Sequence, residues 1–145
     1  MTPRSFLMNA RKILHAYGKA CEPILAEYEL PQVSFDILMF LTNNPECSTA
    51  QEISEFRNIK KNLVSVHVDK LVSAGLLKRT AVAGDRRKIA LSCTEKAAPV
   101  IEAGLKLQKK FYEDLACGIS ADQWKLFAEI FETINSNAER ISKEQ

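Results

Sequence analysis

The side chains best placed to do chemistry in this chain donate hydrogen bonds and positive charge; they are not nucleophiles. Asn58-Ile59-Lys60-Lys61-Asn62-Leu63-Val64-Ser65 gathers two ammonium groups, two amides and a hydroxyl in one short stretch. Lysine donates to phosphate oxygens or guanine acceptors, asparagine pairs with adenine, and serine serves either purpose. Further on, Asp85-Arg86-Arg87 sets two guanidinium groups beside a carboxylate. Such arginines suit a narrow minor groove, and Asp85 is expected to orient one of them, because a bare carboxylate repels phosphate. Catalytic constellations are missing from the sequence. His15 and His67 stand far apart, and there is no glycine-rich phosphate loop and no metal-ligand cluster. The expectation is a protein that is not an enzyme and needs no cofactor or metal. Cys21, Cys47, Cys93 and Cys117 form no CxxC pair and read as small apolar residues at or near a core. A redox-sensing thiol is the alternative reading for them.

The charge is unevenly spread. Nine Lys and Arg against two Asp give Arg57–Lys88 a net +7, which leaves −5 for the rest of a chain whose total is +2. A basic middle between acidic ends is the pattern of a polyanion-binding element on a solvated scaffold. With 145 residues, 46% of them hydrophobic, the chain can bury a real core. Five Gly and five Pro are too few for the turns of an all-β fold. No apolar run approaches the roughly 20 residues of a membrane span, and the N-terminus lacks a secretory block, so a cytoplasmic protein is expected.

The elements that must hold these residues follow from periodicity. Phe6, Ala10, Ile13, Tyr17, Cys21, Ile24 and Tyr28 step by three or four, which predicts a helix over about 4–29, bent or broken at Pro23. A nearly all-apolar helix is expected over 32–42. Thr49-Ala50-Gln51-Glu52 is a capping box opening a short helix to about Phe56. After a turn at Arg57-Asn58, a helix over about 59–74 sends Leu63, Val64, His67, Val68, Leu71 and Val72 to the core and ends at Gly75. His67 is expected to be a buried histidine satisfied by hydrogen bonding. Short strands at 76–81 and 88–92, joined by Val82–Arg87, make a hairpin with a basic tip. Thr94-Glu95-Lys96 opens a long helix to about Cys117, and Ser120 caps the last one. There Trp124, Phe127, Phe131, Ile134, Ala138 and Ile141 alternate steps of three and four, the seam of a paired helix.

Two helices across a tight turn and then a basic hairpin make a helix-turn-helix with a wing. The second helix of such a unit enters the major groove. Lys60, Lys61, Asn62 and Ser65 are expected to face outward there. Thr49, Asn58, Lys70, Asp85, Arg86 and Arg87 complete the candidate DNA-binding set.

Val68-Asp69-Lys70-Leu71-Val72-Ser73-Ala74-Gly75-Leu76-Leu77-Lys78-Arg79, then Asp85-Arg86-Arg87, then Leu91-Ser92-Cys93-Thr94-Glu95-Lys96, resemble the MarR group of winged-helix regulators. The resemblance spans nearly the whole chain. It implies a mainly α fold with a small β-hairpin wing, as one MarR-type domain. In it a winged helix-turn-helix lobe (30–93) is flanked by long N- and C-terminal dimerisation helices (4–29 and 94–141). It further implies a homodimer on a pseudo-palindromic operator, acting as a repressor released by a small, often phenolic, effector or by oxidation. Phe6, Ile13, Trp124, Phe127, Phe131, Ile134 and Ile141 are the interface residues this suggests. Tyr17, Phe35 and Met39 are the positions nearest the implied effector pocket. Val66 departs from the family, which often has arginine there, and Cys21 lacks the context of a peroxide-sensing cysteine. Two alternatives stay open: a redox-responsive regulator using a cysteine thiol, and a winged-helix protein-interaction module that does not bind DNA.

Overall fold

In the computed structural model, the backbone of residues 3–144 and the side chains of residues 8–85 and 87–144 are described. The order is α1 (Pro3–Glu27), α2 (Gln32–Asn43), α3 (Ala50–Arg57), α4 (Lys61–Ser73), β1 (Leu77–Val82), β2 (Asp85–Cys93), a 3-10 turn (Glu95–Ala97), α5 (Ala98–Leu115) and α6 (Ala121–Lys143). The mainly helical fold with a two-stranded antiparallel hairpin is the one expected. The chain divides into two compact units, Met1–Gln108 and Lys109–Gln145. Among the described residues, no helix is long and apolar enough to cross a membrane.

The first unit is built around α2, whose Phe35, Ile37, Leu38, Met39, Phe40 and Leu41 are all buried. Cys21 and Ile24 of α1, Ile53 of α3, Val64, Val68 and Leu71 of α4 and Val100 of α5 close over it. Leu77 and Leu91 anchor the hairpin to the same core. Pro23 lies inside α1 without interrupting it, so the helix does not break there. The amide it lacks would have met Lys19, and both residues are exposed, so water can satisfy the orphan carbonyl.

In the second unit, Ser120 caps α6 through a complete capping box with Gln123. The Trp124 indole N–H donates to the Tyr112 hydroxyl, and the two rings meet edge to face at 5.0 Å. Trp124, Phe127 and Phe131 then stack in succession, with centroids 5.4 and 5.5 Å apart. No residue of α6 is buried.

Candidate nucleic-acid interface

The turn between α3 and α4 is closed from both sides. Thr49 caps α3, accepting from the Glu52 amide at 3.2 Å and donating to the Glu52 carboxylate at 2.9 Å. Glu52 also accepts from the amides of Thr49 and Ser48, each at 2.8 Å, and these bonds hold its carboxyl below the usual range. The Thr49 hydroxyl, a candidate DNA contact, is thus already engaged in the cap. Asn58 adopts a left-handed conformation (φ 49°), which asparagine tolerates better than most residues. Ser54 Oγ donates to the Ile59 carbonyl at 2.6 Å across the turn, a clasp that periodicity alone did not reveal. Arg57 reaches back to Asp36 on α2 at 2.8 Å, so this guanidinium braces the helix pair.

Helix α4 starts at Lys61 with Lys60 as its N-cap, two residues later than expected, because Asn58 and Ile59 are used by the turn. Its buried face is narrow: Val64, His67, Val68 and Leu71. Leu63, expected in the core, is exposed, since it lies about a hundred degrees around the helix from Val64. Lys60, Lys61, Asn62, Ser65 and Lys70 are all exposed. The Asn62 side-chain oxygen accepts from the Leu63 amide at 2.9 Å, which leaves its NH2 group to face outward chemistry.

His67 and Ser34 share a hydrogen bond of 2.9 Å inside the unit, as expected of a satisfied buried histidine. Burial, followed by the charge of Lys70, holds the His67 imidazole below its ordinary value. The folded state therefore resists a proton that the unfolded chain accepts near pH 6.5. Stability should be complete above that value and fall as pH drops toward the lower folded-state value. His67→Gln should flatten this dependence in urea midpoints compared at pH 7.5 and 5.5. Identical pH profiles for the two proteins would refute the assignment.

The hairpin is longer than predicted. Its loop is only Ala83-Gly84, with Gly84 at φ 84°, and Val82 pairs with Asp85. The expected Val82–Arg87 connection is therefore mostly strand, and Arg86 and Arg87 belong to β2. A register irregularity at Ala81/Val82 leaves Arg86-Arg87-Lys88 bulging from the ladder. The side chain of Arg86 lies outside the described residues, as does that of Phe6. Arg87 and Lys88 are exposed. Asp85 accepts from the backbone amide of Arg87 at 3.0 Å, a local turn-type bond and not the guanidinium contact expected. At the hairpin's base, Leu91 donates to the Ser48 carbonyl at 2.6 Å and Thr94 to that of Leu76 at 3.0 Å. Thr49, Ala50, Gln51, Arg87, Lys88 and Ile89 line an open cleft between α3 and the wing. Arg79 of β1 pairs with Asp69 of α4 at 2.5 Å, linking wing and helix.

Residues 28–88 match the MarR family by sequence. Over that stretch, which holds α2 to the wing, the chain is similar to the MarR family. Among curated proteins none matches the sequence. Solved structures share the fold over most of the chain. The crystal structure of the transcriptional regulator PA3341 has a TM-score of 0.83 at 24% identity, covering 93% of this chain and 98% of that one. A MarR protein from Peptoclostridium difficile gives 0.81 at 18%, covering 97% and 91%. The S. aureus MepR–DNA complex gives 0.59 at 17%, covering 88% and 96%.

Of the residues expected nearest an effector, Phe35 and Met39 are buried and pack against Gly104 of α5, where a Cβ would fall 3.0 Å from Phe35 Cζ and 2.4 Å from Met39 Sδ. The half-buried Tyr17 hydroxyl accepts from Gln108 Nε2 at 3.2 Å, one turn along the same helix. Gly104 and Gln108 escaped the sequence reading, although a glycine inside a helical pattern usually has a packing reason. Cys21 is buried and its thiol is pushed up by that burial, which works against a reactive thiolate. Cys93 is pushed up for the same reason, whereas Cys117 is exposed.

Proposed function

We propose that this chain is a sequence-specific DNA-binding transcriptional regulator, a repressor that works as a homodimer on a pseudo-palindromic operator. The carrying observation is the pairing of an outward-facing α4, bearing Lys60, Lys61, Asn62 and Ser65, with exposed Arg87 and Lys88 on a bulged wing strand. Helix α4 has the shape and side chains to read base edges in the major groove, while the wing cations reach phosphate or the minor groove. The exposed Lys70 adds a phosphate contact. A protein of the same fold, MepR, is bound to DNA.

Dimerisation falls to α1, α5 and α6, whose exposed apolar residues include Ile13, Phe127, Phe131 and Ile141, with Trp124 and Ile134 partly covered. The lobe of residues 30–93 and the helices 4–29 and 94–141 then serve as one functional module. A small aromatic effector would enter among Tyr17, Phe35 and Met39, where Met39 offers an adaptable thioether, and shift the spacing of the two lobes.

Fluorescence anisotropy with the duplex upstream of the chain's own gene, against a shuffled duplex, tests the reading at two salt concentrations. Tight binding that prefers the native duplex and weakens steeply with salt is expected. Arg87→Ala should weaken binding to both duplexes and reduce the salt slope by about 0.9, the value of one phosphate contact. Absence of binding to either duplex at low salt would overturn the function, and leave the winged helix as a protein-interaction module. An unchanged slope in the variant would remove Arg87 alone.

A further inference from the structure

The outward face of α4 carries one residue whose chemistry the polar contacts above do not use. Opposite the buried Val64, His67, Val68 and Leu71 stand Asn62, Val66 and Asp69, four and three residues apart. Val66 is 48% exposed at the centre of this face. A branched side chain there loses rotamer freedom in the helix and packs against little in return. On one side of it, the Asp69 carboxylate is engaged by Arg79 of β1. That pairing neutralises an acid that would otherwise repel the DNA backbone. On the other side, Asn62 presents its NH2 group.

We propose that Val66 is a specificity-determining residue whose partner is the 5-methyl group of thymine in the major groove. The inference rests on the DNA-binding reading of α4 and deepens it. The thymine methyl is the apolar feature of the major-groove base edges, so it is the group that an exposed valine can cover without stranding a donor or acceptor. Asn62 and Val66 are separated by about 6 Å along the helix axis, close to two base-pair steps of about 3.4 Å. An adenine read by Asn62 and a thymine read by Val66 then lie one or two base pairs apart, and the core of each half-site is A·T. A G·C pair at the valine's position would bury base-edge groups against a side chain that cannot bond them.

The test uses the full chain and a duplex enriched from a randomised pool. Each thymine of the enriched site is replaced in turn by uracil, which deletes only the methyl group. At one position per half-site, binding should weaken about four-fold, the value of one buried methyl. Val66→Ala should weaken binding to the thymine duplex by a similar factor and bind the uracil duplex no worse than the thymine one. Because Val66 is exposed and alanine suits a helix at least as well, the variant should unfold at no lower temperature than the unsubstituted protein. Tight, selective binding that is indifferent to every uracil, or a variant that keeps the discrimination, overturns the valine's role and leaves the regulator intact. Failure to enrich any duplex overturns both.

Discussion

Replacing Phe127 and Phe131 together by glutamate is expected to turn the proposed homodimer into monomers and weaken binding to the proposed operator by roughly 10²–10⁴-fold, the gain that linking two half-sites supplies. The reasoning starts from α6 itself. It is 23 residues long, with a complete capping box at its start and Arg140 and Lys143 in its last turn, all of which favour a stable helix. Yet it buries none of its residues, and Leu126, Phe127, Ile130, Phe131 and Ile141 are left as exposed large apolar side chains. An apolar surface of this kind on a monomeric protein marks a contact site. In a two-fold interface each phenylalanine is buried twice, once per subunit, at roughly 1.5–3 kcal/mol for each burial. Glutamate removes that and adds carboxylates to a desolvated seam. Analytical ultracentrifugation would read the mass and anisotropy the affinity. A variant that stays dimeric would move the interface off α6, and a monomer with undiminished operator affinity would refute two-fold recognition.

What was legible in the sequence was whatever depends on local rules. The capping boxes at Thr49 and Ser120 and the left-handed stop at Gly75 each follow from a few adjacent residues, and they formed as expected. The apolar run of α2 announced a buried helix for the same reason. Local rules fail where a distant partner decides. The wing loop is shorter than the sequence suggests because Val82 and Asp85 have weak strand signals, and only their pairing across Ala83-Gly84 makes them strand. Leu63 looked like core by composition, but the width of α4's buried face is set by α2 and α3 packing on it. Asp85 was expected to hold a guanidinium, and its local competitor, the Arg87 amide, is nearer in chain and better aimed. Ser34 for His67, Asp36 for Arg57 and Asp69 for Arg79 lie 33, 21 and 10 residues from their partners, separations at which no periodic pattern identifies a pair. Two cations of the basic segment therefore serve as internal braces, which the net charge alone overstated as DNA-facing.

Phe35→Ala should lower stability by about 3–5 kcal/mol, a large share of the about 5–15 kcal/mol available to such a domain. Phe35 is fully buried, and its ring tip approaches α5 at the position where Gly104 has no side chain. Met39 fills the remainder, with its sulfur only 2.4 Å from where a Gly104 Cβ would stand. Gly104→Ala by itself should therefore destabilise by about 1–3 kcal/mol through overpacking. Combined, the two changes should cost less than their sum, because the space vacated by the phenyl ring lets the flexible Met39 side chain move away from the new methyl. Denaturant midpoints of the four proteins close the cycle. Strict additivity would mean that Phe35, Met39 and Gly104 do not share one packed volume. The coupling bears on regulation, since an effector seated among Tyr17, Phe35 and Met39 would need the same space and the same movement of Met39. The double variant, with that space already partly open, should then bind such an effector with altered affinity while keeping the DNA-reading face of α4 unchanged.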